Sequence, residues 1–356
     1  MKIALLNLPV DNNYGGHLQR YALMKVLHDM GHDVTHIFLK VHYTLPWYKY
    51  PYSYTKRFLN KYLFHKSISI RQEYYRNQKY ETSLAATLPF YNRYIKHTKP
   101  CYNLKDIIRE TKGKFDTYIV GSDQVWRKDM TIQLGLENYF LKFADQGKKR
   151  IAYSVSLGSD KLGCTKDEIQ TLGILYRMFS AVSVRELSSL GVFEKAGWSE
   201  PSAKLTLDPV LLLDKSAYID IINENNCHHE TEGKCFCYIL DFNDAVEKAI
   251  SRIEEETNSA RYIQKLSDNV SIPQWIANFY YAKHVVTDSY HGTVLSIIFC
   301  KPFVFLGNNR RGNTRIDSLF NELGVDKNNT VVPQWSIVYE NLARLKEVSI
   351  NYLKNI

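Results

Sequence analysis

The sequence contains no apolar run that approaches the roughly 18 residues required for a membrane-spanning helix. Its start looks at first like a signal peptide, but Asn7 interrupts the apolar run and polar residues 11–13 follow it. This segment is better interpreted as a first β-strand. Hydrophobic residues make up 45% of the chain and charged residues 23%, which is typical of soluble globular proteins. A chain of 356 residues is longer than a single domain with one hydrophobic core usually is, so we expect two domains.

Disulfide and zinc spacings are also absent. The chain has 6 Cys, scattered without the spacing of a disulfide framework or a zinc finger. The group Cys227, His228, His229, Cys235 and Cys237 invites a metal-site interpretation, but the last two open a predicted strand, so we expect no metal. A reducing compartment is the simplest explanation of these thiols, and we therefore predict a cytoplasmic protein.

A dinucleotide-binding fingerprint is missing as well. The chain opens as a βαβ unit, with the predicted strand, turn, helix and strand at residues 2–8, 11–16, 17–30 and 33–39. We expect the turn to adopt positive φ and to bring Asn13, Tyr14 and Gly15 close to a ligand. Gly15 and Gly16 do not match the Gly-rich nucleotide motif, and no acidic residue closes the second strand. A nicotinamide cofactor is therefore not expected.

Positive charge is concentrated in one segment of a chain whose net charge is +9. Residues 40–114 hold 16 Lys or Arg and 4 Asp or Glu, a net +12, together with 12 of the 26 Tyr. Basic residues interleaved with aromatics can indicate nucleic acid, but no nucleic-acid motif is present, and tyrosines also stack on sugars. We interpret residues 41–114 as an insertion that contacts an acidic glycan, a lipid-linked glycan or a membrane surface. Peripheral membrane contact is thus expected, and nucleic acid is not.

The remaining pattern alternates strands with helices and predicts an α/β fold of two Rossmann-like domains with parallel sheets. The predicted strands are residues 115–120, 150–157, 180–186, 234–240, 261–263, 285–287 and 303–305, and the predicted helices are 167–179, 243–256, 273–281, 293–300 and 334–353. We predict an N-terminal domain of residues 1–204 and a C-terminal domain of residues 205–332. Residues 333–356 are predicted to form a helix that packs back on the body.

Polar side chains follow two predicted strands of the N-terminal domain. Ser122 and Asp123 come directly after one strand, and Arg185 stands at the end of another. Open α/β sheets bind ligands at the carboxyl ends of their strands. We expect Asp123 to take part in chemistry, unless it only caps the following segment. Arg185 is a candidate anion fork for phosphate or carboxylate, unless it only pairs with Glu186 or another acid.

Residues 284–315 contain the central group of candidate site residues in the sequence. Their pattern predicts a strand, a turn and a buried helix, so Ser289, His291 and Gly292 stand at a strand's carboxyl end, beside helix amides that favour an anion. Three arginines follow the next predicted strand and should emerge at the same edge of the sheet: Arg310, Arg311 and Arg315. One imidazole and up to three guanidiniums would then face a single crevice. The alternative is that His291 is a structural histidine in a turn.

Five short motifs occur in order over about residues 1–325: residues 12–15 followed by Gln19, Tyr21, Ala22 and Leu23; residues 115–126; residues 183–186; residues 207–209; and residues 287–292. Together they resemble the polysaccharide pyruvyl transferase family. The resemblance implies two Rossmann-like domains arranged as in GT-B glycosyltransferases. It also implies transfer of a pyruvyl group from phosphoenolpyruvate to a sugar of a cell-surface or exopolysaccharide precursor, as a cyclic ketal.

The resemblance implies donor-binding and catalytic roles for Arg185 and His291. One departure stands out: many relatives have Arg-x-His, whereas this chain has Ser289 in the Arg position. Either donor affinity is lost, or the missing charge comes from Arg310, Arg311 or Arg315.

The expected chemistry agrees with these residue types. Phosphoenolpyruvate carries a phosphate and a carboxylate, so its site needs two or more cations. The reaction protonates the methylene carbon, which suits His291 as the acid, and deprotonates an attacking sugar hydroxyl, which suits Asp123 as the base. We expect no metal and no cofactor, phosphoenolpyruvate as donor substrate, and a sugar or lipid-linked oligosaccharide as acceptor. Two alternatives stay open: a nucleotide-sugar glycosyltransferase of GT-B type, and a non-catalytic glycan- or phosphate-binding relative, which Ser289 would explain.

Overall fold

A computed structural model describes residues 1–307, 314–326 and 333–356 of the chain. These residues form two α/β domains, each built on a parallel β-sheet. The predicted fold of two Rossmann-like domains with parallel sheets is confirmed, and a cleft between the two domains completes the GT-B-like arrangement.

The first sheet has six strands: β1 (Lys2–Leu6), β2 (Asp33–His36), β3 (Thr117–Val120), β4 (Lys149–Val155), β5 (Ala181–Val184) and β6 (Lys204–Leu205). Their order across the sheet is β2-β1-β3-β4-β5-β6, and all neighbours are parallel. The central strands are buried along most of their length because helices cover both faces. The strand order reverses between β1 and β3, so the loops after these two strands flank the expected ligand crevice.

The second sheet has four strands: β7 (Cys235–Tyr238), β8 (Arg261–Gln264), β9 (His284–Thr287) and β10 (Phe303–Phe305). Their order is β10-β9-β7-β8, again all parallel. The order reverses between β7 and β9, and the two loops that follow these strands are joined at Asp288. Its carboxylate accepts the backbone N–H of Leu240 at 2.7 Å and of Asp241 at 3.0 Å.

Helices lie on both sheets of the part of the chain that the structure describes. Those of the N-terminal half are α1 (Tyr14–Asp29), α2 (Tyr50–Tyr62), α3 (Gln72–Ser83), α4 (Leu88–Tyr94), α5 (Leu104–Thr111), α6 (Leu136–Tyr139), α7 (Lys166–Tyr176) and α8 (Leu187–Lys195). Those of the C-terminal half are α9 (Lys215–Glu224), α10 (Asp244–Thr257), α11 (Ile272–Tyr281), α12 (Tyr290–Ile298), α13 (Thr314–Leu323) and α14 (Trp335–Lys354). Short 3-10 turns occupy Trp47–Lys49, Lys128–Met130, Pro209–Leu212 and Leu266–Asp268. None of the described helices combines the length and apolar character needed to span a bilayer.

Two helices begin three residues earlier than the apolar pattern predicts, and both face the cleft. The side chain of Asn13 accepts the N–H of Gly16 and starts α1 at Tyr14, so the predicted positive-φ turn over residues 11–16 is wrong for Gly15 and Gly16, which are helical. The side chain of Ser289 likewise starts α12 at Tyr290. Capping side chains, rather than the first periodic apolar residue, set where these helices begin.

A continuous cluster of buried apolar side chains includes residues of both sheets. Helix α14 extends this connection, since Tyr352 Oη donates to the carbonyl of Ala152 in the first sheet at 2.9 Å and Ser349 Oγ accepts the N–H of Leu207 at 2.9 Å. The division into residues 1–204, 205–332 and 333–356 stays a prediction.

Candidate functional site

A cleft of about 300 Å³ opens between the carboxyl ends of the two sheets. The first domain contributes Asp11, Asn12, Asn13, Gly15, Asp123 and Gln124, and the second contributes Tyr238, Trp275, Asp288, Ser289, Tyr290, His291 and Arg315. A larger depression of about 470 Å³, beside Lys2, Asp33 and Asp116, lies at the amino ends of the first sheet's strands. Because α/β sheets bind ligands at the carboxyl ends of their strands, the interdomain cleft is the candidate site.

His291 is the second residue of α12, and its ring packs against α1 of the other domain. An ideal Cβ built on Gly15 would lie 1.9 Å from His291 Nδ1, so only glycine fits beneath the ring. On its other edge the ring places Nε2 at 3.7 Å from Asp208 Oδ2. The imidazole therefore touches both domains and still lines the cleft.

Asp208 lies in the passage between the domains, directly before the 3-10 turn Pro209–Leu212, and its side chain is fully buried. Oδ2 accepts a hydrogen bond from Gln19 Nε2 at 2.6 Å and from Arg185 Nη1 at 2.7 Å. Oδ1 accepts the backbone N–H of Val210 at 3.0 Å. These donors hold the carboxylate in one orientation toward His291.

Arg185 stands at the end of β5 and joins two carboxylates. Its Nη1 donates to Asp208, and its Nη2 donates to Asp123 Oδ1 at 3.0 Å. Arg315 Nη1, from the second domain, lies 3.7 Å from the same Asp123 oxygen. The side chain of Arg185 is only 2% exposed, so it lies behind the cleft wall, whereas Asp123 and Arg315 line the cleft. The acid partners of Arg185 are thus Asp208 and Asp123 and not Glu186, whose Oε1 accepts hydrogen bonds from other donors.

Tyr290 lies between the two guanidinium groups. The Cζ atom of Arg185 is 4.7 Å from the centre of the tyrosine ring, and that of Arg315 is 5.7 Å from it. The ring of Tyr290 attracts both guanidinium groups, which allows the two cations to lie close together. Tyr290 therefore links the cation of the first domain to that of the second.

The charges of this cluster hold both carboxylates ionised. Burial acts to raise the pKa of Asp123, but the positive charges of Arg185 and Arg315 outweigh it and keep the pKa below its usual value. Burial likewise acts to raise the pKa of Asp208, and the neighbouring His291 and Arg185 hold that pKa well below the usual range. The charges of the two carboxylates and the two guanidiniums nearly cancel, so a ligand with two negative charges would need additional positive potential. The N-termini of α1 and α12, where helix dipoles are positive, lie at the cleft.

The loop after β3 places the carboxylate of Asp123 by an unusual backbone. Asp123 has a φ of 76°, in the left-handed region that side chains other than glycine rarely adopt. Its carbonyl accepts the N–H of Val125 at 2.7 Å and of Ser156 at 2.9 Å, which holds this conformation. Gly121 has a φ of 116°, and a Cβ there would lie 2.2 Å from the carbonyl oxygen of Tyr153. The side chain of Asp123 pairs with arginine instead of capping a helix.

Several other predicted site residues support the loops of the cleft. Ser289 Oγ accepts the N–H of Gly292 at 3.3 Å, and a Cβ on Gly292 would lie 2.4 Å from Thr287 Oγ1. Tyr14 Oη donates to the carbonyl of Val270 in the second domain at 2.7 Å. The hydroxyl of Ser122 is buried without a hydrogen-bond partner in the described residues.

The structure brings His291, Asp123, Arg185 and Arg315 into one cluster. Two of the predicted arginines, Arg310 and Arg311, lie outside the described residues. Among the residues that are described, no group of three or more His, Cys, Asp or Glu side chains could hold a metal ion. The Sγ atoms of the cysteines in β7 lie 4.0 Å apart on one face of the strand.

The sequence interpretation assigned no role to three residues of the cluster. They are Gln19, Asp208 and Tyr290. All three belong to motifs that carried the family resemblance, and that membership was the available signal. What the motifs could not show is that a carboxylate from the interdomain passage reaches a histidine more than 80 positions later.

The family model for polysaccharide pyruvyl transferase matches residues 13–310, which is most of the chain and includes Asp123, Asp208 and His291 of the cluster. The chain belongs to the polysaccharide pyruvyl transferase family. This membership confirms the predicted class of enzyme, a pyruvyl transferase, and a sugar of a polysaccharide as the class of acceptor. Among proteins with a curated description, none matches the sequence significantly.

Solved structures with a similar fold share little sequence identity with this chain. A putative UDP-N-acetylglucosamine 2-epimerase from Listeria monocytogenes shares 10% identity with a TM-score of 0.47, over 99% of this chain and 90% of that one. The S. aureus MnaA–UDP complex shares 11% identity with a TM-score of 0.49, over 99% and 91%. An alpha-glucosyltransferase in complex with UDP shares 8% identity with a TM-score of 0.44, over 100% and 94%. The family assignment does not depend on these likenesses.

Proposed function

We propose that the interdomain cleft binds phosphoenolpyruvate and transfers its pyruvyl group to two hydroxyls of a sugar as a cyclic ketal. The observation that carries this proposal is the cluster in which His291 lies beside the buried Asp208 and opposite the pair of Asp123 and Arg315. A proton donor (His291), an anion (Asp123) and a cation (Arg315) from separate parts of the chain therefore line one cleft in this family member.

Phosphoenolpyruvate carries two anionic groups, so its site requires positive charge beyond that of Arg185, which is already paired with two carboxylates. Arg315 lines the cleft, and its Nη1 lies 3.7 Å from Asp123 Oδ1, longer than a hydrogen bond. We propose that it binds the carboxylate, and that the N-termini of α1 and α12 receive the phosphate. Ser289 cannot supply the missing charge, because a serine hydroxyl is neutral, and here it caps α12. Arg310 and Arg311 remain proposed contributors.

His291 is proposed to protonate the methylene carbon of phosphoenolpyruvate. The neighbouring carboxylate of Asp208 stabilises the imidazolium that must form before this step. Proton transfer to carbon leaves an oxocarbenium-like centre at the adjacent carbon, which the first sugar hydroxyl attacks. Arg185, which is buried, acts through the carboxylates of Asp208 and Asp123 and is a positioning residue in this scheme.

Asp123 is proposed to accept the proton of the attacking hydroxyl. Its lowered pKa makes it a weak base. A weak base is sufficient, because a hydroxyl oxygen that bonds to a cationic carbon becomes strongly acidic. The second hydroxyl then displaces phosphate and gives its proton to the neutral His291, which restores the imidazolium. The protonated Asp123 returns its proton to the departing phosphate, so the products are a ketal and hydrogen phosphate and both side chains regain their starting states.

The direct test is release of inorganic phosphate from phosphoenolpyruvate with a panel of oligosaccharide acceptors. We expect His291→Asn to lower kcat by about 100-fold or more, the loss typical of a missing acid. The matched control is His284→Asn, a histidine of the same domain at the start of β9 that does not line the cleft. Wild-type activity in His291→Asn would exclude this residue from the reaction.

A second candidate function is binding without turnover, which Ser289 in place of the relatives' arginine favours. Thermal-shift measurements with phosphoenolpyruvate and with UDP- and GDP-sugars separate the candidates. Stabilisation by phosphoenolpyruvate with phosphate release supports the transferase, and stabilisation without release on any acceptor supports a binding protein. Stabilisation by a nucleotide sugar alone would support a glycosyltransferase instead.

We also propose that the acceptor is a sugar or a lipid-linked oligosaccharide, reached through peripheral membrane contact by the basic segment of residues 40–114.

A further inference from the structure

The basic segment carries an exposed apolar surface on α2 and its two flanks. No residue of α2 is buried. Trp47, just before the helix, is 85% exposed, and Phe64, just after it, is 66% exposed. We call the following exposed side chains the aromatic face: Trp47, Tyr48, Tyr52, Phe58, Leu59, Tyr62, Leu63 and Phe64.

The aromatic face lies on one side of the helix because of its spacing. Tyr52, Leu59 and Tyr62 recur at intervals of seven and three residues, which places them on one helical surface. The opposite side points into the protein, where Arg57 donates to both carboxylate oxygens of Glu73 in α3, at 2.6 and 2.7 Å. The helix is therefore held to the protein by its polar side and presents its apolar side outward.

Positive charge surrounds the aromatic face. Residues 47–66 contain 5 Lys or Arg and no Asp or Glu. One of these cations, Arg57, is neutralised by Glu73, and the four exposed ones are Lys49, Lys56, Lys61 and Lys66. Three of the lysines stand over rings of neighbouring tyrosines, at 5.5 to 5.9 Å. A surface of aromatic side chains rimmed by lysines complements the headgroup region of an anionic bilayer.

The segment is anchored at the rim of the cleft. Tyr80 of α3 donates its hydroxyl proton to the carbonyl of Val10, and Thr87 Oγ1 donates to the carbonyl of Asp11 at 3.2 Å. Asp11 lines the cleft. Glu73, which holds α2, lies two helical turns before Tyr80 in α3, so this one helix connects the aromatic face to the rim of the cleft.

We propose that the aromatic face docks on the headgroup surface of an anionic lipid bilayer and holds the cleft next to an acceptor carried in that bilayer. The docking names the surface and the lipid class for the membrane contact proposed above, and the role given to the acceptor rests on the proposed function. A second copy of the chain is a poorer occupant, because a symmetric contact would bring the same unpaired lysines together. Aromatic side chains at the headgroup level and lysines above anionic lipid each favour the bilayer.

The test is sedimentation of the full-length protein with large vesicles of phosphatidylcholine alone or with phosphatidylglycerol added. We expect binding to the anionic vesicles, little binding to the neutral ones, and loss of binding at high salt. The triple variant Lys49→Glu, Lys56→Glu, Lys61→Glu should lower the partition constant by about 100-fold, since each lysine near an anionic surface contributes to attraction. The variant Trp47→Ser, Phe64→Ser should lower it at constant charge.

The matched control reverses three exposed lysines at helix ends elsewhere: Lys195→Glu, Lys215→Glu, Lys354→Glu. Vesicle binding that survives in this control and fails in the first triple variant supports the aromatic face. Equal loss of vesicle binding in both triple variants would overturn the proposal. Wild-type protein that does not bind anionic vesicles would overturn it as well. Dimerisation that the Trp47→Ser, Phe64→Ser variant abolishes would identify a second copy as the occupant, and equal competition by RNA would identify a general polyanion site.

Phosphate release measured with a water-soluble acceptor separates this inference from the proposed function. The first triple variant should keep wild-type turnover on that acceptor while it loses vesicle binding. Loss of vesicle binding with normal turnover leaves the chemistry intact, and absence of turnover with normal vesicle binding leaves the docking intact.

Discussion

At the scale of single residues, the site depends on how closely His291 approaches the other domain. The ring occupies the space in which a side chain on Gly15 would lie, and its far edge faces a carboxylate from the interdomain passage. His291 is therefore held between the two domains on these two sides of its ring. Such pre-organisation allows one imidazole to act on a ligand without first being ordered.

Substitution of Gly15 should move the imidazole without removing it. Because a Cβ at this position would meet His291 Nδ1 at 1.9 Å, we expect Gly15→Ala to rotate the ring and lower kcat by about 100-fold. The control is Gly191→Ala in α8, where a Cβ meets nothing within 4 Å, and turnover should be unchanged. If Gly15→Ala has normal kcat, the ring can relocate freely and its position is not limiting.

Removal of the charge of Asp208 should destabilise the fold. The carboxylate is fully buried and pairs with Arg185, and removal of one partner of a buried ion pair typically costs about 3–5 kcal/mol. The low end applies here, because Arg185 keeps its hydrogen bond to Asp123. We therefore expect Asp208→Asn to lower the free energy of unfolding in urea by about 3 kcal/mol at neutral pH. Asp214→Asn is the control, because its side chain is 82% exposed and pairs only at the surface with Lys346. A change below about 0.5 kcal/mol is expected there, and equal losses in the two variants would contradict the buried-pair interpretation.

At the scale of secondary-structure elements, α1 joins the cleft to the core of the first domain. Its first turn borders the ligand site, and its next turn carries His17, whose Nε2 lies 2.8 Å from the carbonyl oxygen of Asp11. His36 in β2 is also buried and contacts Tyr91 Oη through Nδ1 at 2.7 Å. Both rings contact Tyr91, and burial lowers the pKa of each imidazole, which favours its neutral form.

Acid should destabilise the protein through this element. Burial and the charge of Arg20 lower the pKa of His17 from 6.5 to about 3, although the bond to Asp11 opposes them. Between these values the unfolded chain binds a proton that the folded chain does not, so stability falls as pH drops below 6.5. We expect His17→Gln to reduce the slope of unfolding free energy against pH by about 1.4 kcal/mol per pH unit. Identical slopes in the wild-type protein and in His17→Gln would contradict the assignment.

At the scale of the whole molecule, the two sheets share one apolar core and one C-terminal helix. The first half of α14 packs on α13 of the second domain, and its last turn reaches the first sheet through Tyr352. The cluster at the cleft adds a contact of opposite charges, since Arg315 lies beside Asp123 of the other domain. The domains are therefore connected on two sides of the cleft.

This connection predicts cooperative unfolding. Calorimetry on the wild-type protein should show one transition, with equal calorimetric and van't Hoff enthalpies, because the core cluster includes residues of both sheets. Tyr352→Ala removes a buried ring and its hydrogen bond to Ala152, which should cost about 3–5 kcal/mol and separate the transition into two. Tyr339→Phe, in the first half of the same helix, should retain a single transition. Two transitions in the wild-type protein would show that the domains unfold independently.

The sequence alone determined the alternation of strands and helices, the two parallel sheets and the family, because periodicity and short motifs are local properties of the chain. It also singled out Asp123, Arg185, His291 and Arg315. The convergence of these four was an expectation until the structure placed them. Helix starts were misjudged at α1 and α12, where capping side chains prevailed over apolar periodicity.

Only the tertiary structure decided which charges neutralise one another. Asp208, Gln19 and Tyr290 complete the cluster, and Arg185 lies behind the cleft wall with both ends occupied by carboxylates. No local pattern could show this, because burial and pairing depend on residues far apart in the chain that meet when two domains pack. The free energy of a buried charge is set by those neighbours, and the neighbours exist only in the folded molecule.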